Sequence, residues 1–347
     1  MAAIPNLLQI VQTTCDELGL NRPSVVAGST DLQVRQLFAL INRDLTEIRK
    51  NYEWTALQAE WDLYVGQPIA ALGDVVIDSN VIANVTGYGG SPPSDFNQDF
   101  GPDFGPPFLT DPSLWVIVGP YIPVNSRVVS AAWNAGLNNY TLTLDQYATG
   151  TQYQGALTIS QDTYPGPSDF DRYINQTWWD RTNRWALIGP DSPQVDQWHR
   201  SGIVTIGPRR HFRQIGYNGL TSAGGAQNNY RVWPPPGAQD TPLQLVYEYI
   251  STNAVLSASG TPQQTFLADT DFPILDYNVF ILGAKWRMWQ IKGFDYAAMQ
   301  AEWIDYCERN YANDGGAKTL SLVGSRVGLY QSLVQDGNFP GTATSGQ

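Results

Sequence analysis

Apolar residues recur every three or four positions at both ends of this chain, which is the pattern of helices with one buried face. This spacing predicts a helix over residues 5–18 and a second from Asp31 to about Lys50. The pattern returns after Asp271 and breaks at Gly293, as expected for two helices joined in a hairpin. Two helices are therefore predicted at each end.

From Trp54 onward the apolar spacing changes to two, which is typical of strands. Short β-like runs separated by Gly- and Pro-rich turns fill residues 56–256. Within them, residues 180–183 predict a hairpin turn, and Ser192 with Pro193 predicts the start of a short helix. The predicted fold class is α+β, with an antiparallel β domain between the two helix pairs, which pack as one bundle.

Charge distinguishes one segment from the rest. The chain has 32 acidic and 20 basic residues, a formal net charge of −12. Residues 73–165 hold eight acids and a single base, Arg127, for a net charge of −7. This asymmetry indicates a separate inserted unit. The predicted domains are a helical bundle from 1–55 and 269–316, a β domain from 56–72 and 162–256, an inserted small β module at 73–161, and an extended C-terminal arm at 317–347.

No familiar catalytic or nucleotide-binding motif occurs in the sequence. A Walker A loop, a Gly-x-Ser-x-Gly elbow and a His-Glu-x-x-His pair are all missing. Asp95, Asp99 and Asp103 are spaced four apart, whereas the ligands of an EF-hand recur every two residues and end in a glutamate. A solvated loop is the favoured interpretation of these aspartates, and a weak cation site is the alternative.

The chain has only two cysteines and two histidines, Cys15, Cys307, His199 and His211. A structural zinc site usually takes four such ligands. Both cysteines lie in helical patterns, which favours buried thiols over a disulfide or a Cys-His nucleophile pair. We therefore expect no catalytic residue, no cofactor and no metal.

Aromatic residues close to acids leave a carbohydrate hypothesis open. Residues 178–180 read Trp-Trp-Asp, and Glu248 lies between two tyrosines. Paired carboxylates hydrolyse glycosides only at defined separations, which a sequence does not reveal. The simpler interpretation is a turn aspartate and an outward-facing strand residue.

Arginine accounts for most of the basic residues, and several arginines fall in one stretch. The stretch contains Arg200, Arg209, Arg210, His211, Arg213 and Arg231. Salt bridges between subunits are the favoured interpretation, because a guanidinium pairs well with carboxylates across interfaces. A solvated face and DNA contact remain alternatives, although the acidity of the whole chain opposes DNA binding.

Three segments resemble bacteriophage head-to-tail adaptor proteins of short-tailed phages. They are STDLQVRQLFALINRDLTEIRKNYEW (29–54), DFDRYINQTWWDRTNRWALIGPDSPQVDQWHRSG (169–202) and LGAKWRMWQIKGFDYAAMQAEWIDYCERNYANDGGAKTLSLVG (282–324). The interrupting segment, at GPYIPVNSRVVSAAWNAGLNNYTLTLDQYATG (119–150), resembles a small β module inserted in various phage structural proteins.

The resemblance implies a structural protein of the virion tail or neck, present in the host cytoplasm during assembly. It implies a homo-oligomeric ring, expected to contain twelve subunits, which joins the portal protein to the tail nozzle protein. Phage DNA would pass through its channel without sequence-specific binding, and no enzymatic activity is implied. No stretch approaches the roughly 18 uncharged apolar residues of a membrane span, so no membrane partner is expected.

Two sets of contact residues are predicted for such a ring. Isolated apolar residues in a polar arm are typical of segments that fold on binding, and here would dock on the portal or a neighbouring subunit: Leu329, Tyr330, Leu333 and Phe339. Aromatic and arginine residues are common in interfaces, and here would form subunit or nozzle contacts: Trp179, Arg181, Arg184, Trp185, Arg209, Arg210 and Arg213. The alternatives are a carbohydrate-binding or glycan-cleaving tail component and a DNA-binding packaging accessory.

Overall fold

A computed structural model describes most of the chain. The described residues are 4–65, 69–76, 78–87, 115–134, 136–137, 139–149, 153–201, 209–215, 229–235 and 243–314. The chain divides into two compact units, Met1–Gln58 with Ile250–Gln347, and Ala59–Tyr249. Helices and mostly antiparallel sheets confirm the predicted α+β class.

The described residues include five α-helices and seventeen strands. The helices are α1 (Leu7–Leu18), α2 (Leu32–Asn51), α3 (Pro193–Arg200), α4 (Tyr277–Lys292) and α5 (Ala297–Asn313). The strands are β1 (Gln58–Val65), β2 (Ile69–Val75), β3 (Val81–Gly87), β4 (Trp115–Val118), β5 (Ser126–Asn134), β6 (Asn139–Leu144), β7 (Tyr153–Gln161), β8 (Thr163–Pro165), β9 (Phe170–Tyr173), β10 (Trp179–Asp180), β11 (Trp185–Ala186), β12 (His211–Ile215), β13 (Asn229–Trp233), β14 (Leu243–Ser251), β15 (Val255–Leu256), β16 (Pro262–Gln263) and β17 (Phe272–Pro273).

Local capping chemistry sets the ends of the helices in the first unit. Asn6 accepts a hydrogen bond from the Gln9 backbone N–H while the Gln9 side chain accepts one from the Asn6 N–H, which forms a capping box. Asp31 caps α2. Gly293 adopts a left-handed conformation at φ +77° and ends α4, which confirms the predicted break. Helix α4 packs against α1, α2 and α5.

A buried ion pair connects α2 with α4. Asp44 is fully buried, and Arg287 donates to its Oδ1 from Nε at 3.1 Å and from Nη2 at 2.9 Å. Arg287 also pairs with Glu47 and lies over the Trp286 ring at 4.3 Å. Gly283 makes room for the carboxylate, because a Cβ at that position would lie 1.7 Å from Asp44 Oδ2.

The second unit contains a closed antiparallel barrel with strand order β2-β3-β6-β5-β4-β7. Its interior is filled by aliphatic side chains and one tyrosine, among them Val85, Leu142, Leu157, Ile159 and Tyr140. The barrel strands lie between Ile69 and Gln161, and the first of them begins four residues before the boundary predicted for the inserted module at 73–161.

The rest of the second unit surrounds an aromatic core. Strands β1, β14, β10 and β11 form one sheet, with β9 also paired to β14, and β12, β13 and β8 form another. Trp178 stacks between Phe212 and Tyr247, with ring centroids 4.2 and 4.1 Å away. Tyr230 meets it edge-on at 4.8 Å. These contacts place Trp178, next to strand β10 of the hairpin, at the centre of the core.

We expect Gly283→Ala to destabilise the helical unit by about 1–3 kcal/mol, because the new methyl group collides with a buried carboxylate. In an unobstructed helix the same change would instead stabilise by about 0.5–1 kcal/mol. Urea unfolding followed by far-UV circular dichroism measures the difference. Gln290→Ala, at an exposed position of the same helix, is the control and should change little. A Gly283→Ala protein as stable as the wild type would contradict the prediction.

The helical unit is also expected to become less stable as pH rises from about 4 to 7. Burial raises the pKa of Asp44 to about 7, although the charge and hydrogen bonds of Arg287 oppose the rise. The folded state therefore binds the proton more tightly than the unfolded state, so the free energy of unfolding falls by up to about 1.4 kcal/mol per pH unit. Asp44→Asn should remove this part of the slope, and an unchanged slope would contradict the assignment.

Candidate functional site

The predicted contact residues on the hairpin lie at its exposed end. Trp179 pairs with Ala186 across β10 and β11. Arg181, half-exposed, donates to Glu60 Oε2 at 2.6 Å. Arg184 is exposed and adopts a left-handed backbone conformation, at φ +60°. We call these residues the hairpin patch, in which the two arginines are exposed and Trp179 is partly buried.

Trp185 and Arg209 form a second part of this patch. The Trp185 side chain is exposed, and the Arg209 guanidinium carbon lies 5.6 Å from its ring centroid, within cation–π range. Arg210 behaves differently, because it donates a hydrogen bond to the Pro234 carbonyl oxygen. The structure therefore places Trp185 and Arg209 together, while Arg210 supports a neighbouring backbone segment.

Arg213 belongs to a largely buried ion-pair network. Arg213 and Arg231 both donate to Asp196 Oδ2. The Arg231 Nε also lies 3.6 Å from Asp162, whose two carboxylate oxygens accept hydrogen bonds from Arg127. The network joins the barrel strand β5, the segment after β7, helix α3 and strands β12 and β13. Through Asp162, Arg127 of the barrel thus connects with the other ion pairs of the second unit.

These pairings bear on the three interpretations of the arginine stretch. Arg213 and Arg231 both pair with Asp196 of the same chain, so these two guanidinium groups already have an ion-pair partner within the chain. A guanidinium engaged with a buried carboxylate offers less to a DNA phosphate than a solvated one does. Arg209 is partly buried and lies beside Trp185.

Helix α3 presents its apolar side chains to solvent. Val195 and Trp198 are exposed, Trp198 by 51%. Asp196 and His199, in contrast, are 5% exposed. Three-residue spacing explains why each pair shares a face. The predicted short helix is confirmed. Hydrophobic periodicity alone would place Val195 and Trp198 on the buried face, whereas the structure exposes them.

The two histidines of the chain meet at one carboxylate. His211 Nδ1 lies 3.2 Å from Asp191 Oδ1, and His199 Nε2 lies 3.5 Å from Asp191 Oδ2. The imidazole centroids are 4.5 Å apart. Within the part of the chain that the structure describes, this is the one group of at least three His, Cys, Asp or Glu side chains placed to hold a metal ion. The sequence analysis expected no such group.

Backbone hydrogen bonds fix the segment that carries Asp191. The Ile188 N–H donates to the Arg210 carbonyl and the Phe212 N–H donates to the Ile188 carbonyl, both at 2.9 Å. The Asp191 N–H then donates to the Phe212 carbonyl, also at 2.9 Å. Gly189, at φ +152°, permits this approach, since a Cβ there would lie 2.5 Å from the Phe212 oxygen.

The residues that suggested carbohydrate chemistry have structural roles. Trp178 is buried in the aromatic core and has no exposed face for a sugar ring. Asp180 is buried and accepts hydrogen bonds from the backbone N–H and side-chain amide of Asn183, which shapes the hairpin turn. Glu248 faces outward on β14. This is the simpler of the two interpretations considered for these acids.

Both cysteines are buried free thiols, as predicted. Burial raises the pKa of Cys307 to about 12, and burial with the nearby Asp16 raises the pKa of Cys15. Neither thiol is therefore ionised near neutral pH, which argues against a nucleophilic role.

Two further sets of predicted residues lie outside the described residues. They are the loop aspartates Asp95, Asp99 and Asp103 and the arm residues Leu329, Tyr330, Leu333 and Phe339. In the described part of the chain, no helix combines the length and apolarity needed to cross a bilayer. Neither protein-family models nor curated protein sequences match this chain.

We expect Asp196→Asn to destabilise the second unit by about 3 kcal/mol, because it leaves two arginines without their shared buried carboxylate. Near-UV circular dichroism, which reports on the tryptophan-centred core, follows the unfolding. The control is Glu60→Gln, which breaks the half-exposed pair with Arg181 and should cost at most about 1 kcal/mol. Equal effects of the two changes would show that the network is not a major source of stability.

Proposed function

We propose that this chain is a structural virion protein, a ring-forming adaptor that joins the portal to the tail nozzle and lines the DNA channel. The observation that carries the proposal is how the adaptor-like segments fit the structure. Segments 29–54 and 282–324 supply α2, α5 and all but the first five residues of α4. The buried pair Asp44–Arg287 joins these two segments. The third segment, 169–202, supplies the hairpin and α3.

In this proposal the helices of the first unit act as one bundle that contacts the portal. The packing of α4 against α1, α2 and α5 supports that role, because a bundle assembled from both chain ends is a stable mount for a docking surface. The C-terminal arm, through Leu329, Tyr330, Leu333 and Phe339, would add a contact with the portal or a neighbouring subunit.

The second unit would supply subunit or nozzle contacts through the hairpin and α3. Trp185, Trp198 and Arg209 are the side chains best suited to this, because they are exposed or near the surface and are held by rigid elements. Tryptophan and arginine are the residues most enriched in interface hot spots. An outward apolar face on α3 is costly in water unless a partner covers it.

The charge arrangement favours an adaptor over a DNA-packaging accessory. Asp162 and Asp196 form ion pairs with Arg127, Arg213 and Arg231 within the chain. With a formal net charge of −12, the protein would not hold DNA by cumulative phosphate contacts, which suits passage of DNA through a channel.

The proposal is tested by assembly with the portal protein encoded in the same genome. We expect mass photometry and cryo-electron microscopy of the purified mixture to show a ring of twelve copies on the portal. Trp198→Ala should weaken this assembly by about tenfold or more, as expected for an interface hot spot. Tyr147→Ala removes an exposed aromatic side chain near the barrel and serves as the matched control, with no expected effect.

Two outcomes would contradict the adaptor function. One is a protein that stays monomeric and does not bind the portal under any assembly condition. The other is binding and cleavage of bacterial surface glycans, measured on a glycan array and by release of reducing sugar. The second outcome would support the carbohydrate alternative, for which an adaptor should give no signal.

A further inference from the structure

We propose that Asp191, His199 and His211 bind one Zn²⁺ ion, which fastens helix α3 to strand β12. The inference does not depend on the adaptor function. It begins from the chain composition, since the sequence contains two histidines and folding brings both to the same carboxylate. The three residues come from the turn before α3, the end of α3 and the start of β12.

The distances fit a coordination sphere. Zinc–ligand bonds of about 2.0–2.1 Å at tetrahedral angles place neighbouring ligand atoms roughly 3.3 Å apart. The Asp191 carboxylate lies 3.2 Å from His211 Nδ1 and 3.5 Å from His199 Nε2. All three ligand atoms lie within 4.8 Å of one another, so small side-chain rotations would bring them around one ion.

The hydrogen bonding of His199 favours a cation over a simple histidine–aspartate pair. Its side chain is only 7% exposed, yet neither ring nitrogen has a hydrogen-bond partner among the described residues. Buried polar atoms without partners are rare in native proteins, and a bound ion or water is one explanation for them. A metal at Nε2 would supply the missing interaction, and the ring already lies 3.5 Å from the carboxylate.

The surroundings keep the three ligands in place before any ion binds. Ser192 caps α3 by accepting a hydrogen bond from the Val195 N–H, and this sets the direction of the helix that carries His199. The Asp191 and Phe212 backbones are hydrogen-bonded to each other beside His211. Preorganised ligands on regular elements bind metals more tightly than ligands on loops.

The ligand set selects the class of metal. Two imidazoles and one carboxylate suit Zn²⁺ and neighbouring transition metals, whereas Ca²⁺ and Mg²⁺ prefer oxygen ligands alone. Three protein ligands leave a fourth position for water or for a donor from another molecule. By tying α3 to β12, the ion would stabilise the helix that carries the exposed Trp198.

The test uses the full-length protein, freed of any histidine tag and of metal, with Zn²⁺ as the probe. We expect isothermal titration calorimetry to show one Zn²⁺ per chain and no comparable binding of Mg²⁺. His199→Gln and His211→Gln should each weaken binding by more than about a hundredfold, since even changes beyond the direct ligands cost about 10–100-fold. Glu60→Gln and a Cys15→Ser/Cys307→Ser double variant are controls that should bind like the wild type.

NMR spectra of the imidazole groups in the wild-type protein test the proposed Zn²⁺ site even if a variant fails to fold. The chain has two histidines, so the spectrum contains two ring systems, and saturating Zn²⁺ should shift both. Three results would overturn the proposal: no Zn²⁺ binding, rings that do not respond to bound Zn²⁺, or binding lost in the cysteine variant but retained in the histidine variants.

Discussion

Buried aspartate–arginine pairs connect parts of this chain that are far apart in sequence. Asp44 and Arg287 are 243 positions apart. Arg287 donates hydrogen bonds to the Asp44 carboxylate, which is fully buried. In the second unit, Asp162 and Asp196 bring together three arginines from the barrel and from β12 and β13. A buried carboxylate is tolerated only when a cation and hydrogen bonds replace its water, so each pair ties the position of one element to another.

This constraint explains why arginine dominates the basic residues. A planar guanidinium bonds two carboxylates at once or both oxygens of one, as Arg231 and Arg127 do here. Lysine offers a single point charge and would satisfy fewer acceptors. Arginines in these pairs are engaged with buried carboxylates. The number of arginines in the stretch therefore does not by itself indicate nucleic-acid binding.

Features governed by local chemistry were predictable, and features governed by distant partners were not. Helix α1, helix α3 and the break at Gly293 followed from periodicity and caps, because these depend on residues within one or two turns. Closure of the six-stranded barrel depends on pairing between strands such as β2 and β7, about 80 residues apart, which no local pattern encodes. Arg287 is a charged residue buried among the apolar residues of α4. The helical pattern did not predict this, because its partner Asp44 is 243 positions away in the sequence.

The histidine cluster illustrates the same limit and also a signal that was available. We expected no metal from the sequence because four closely spaced Cys or His residues are missing. In the proposed site, Asp191 from the turn before α3 supplies a third ligand. In a chain with two histidines, the separation of twelve residues across a helix and a strand was the only clue. Their convergence became visible only once the Ile188–Phe212 backbone pairing was known.

Helix α3 shows how these interactions bear on function. Its buried face carries Asp196 and His199, which are polar, and its exposed face carries Val195 and Trp198, which are apolar. Among the described residues, the most deeply buried side chains of the helix are therefore polar. The ion pairs of Asp196 and the contacts of His199 help to hold the helix against the unit with its apolar surface in water. Such an arrangement is costly for an isolated chain and becomes favourable when another subunit covers Trp198. The polar anchoring of α3 and its outward apolar face thus support the proposal that this protein works in an assembly.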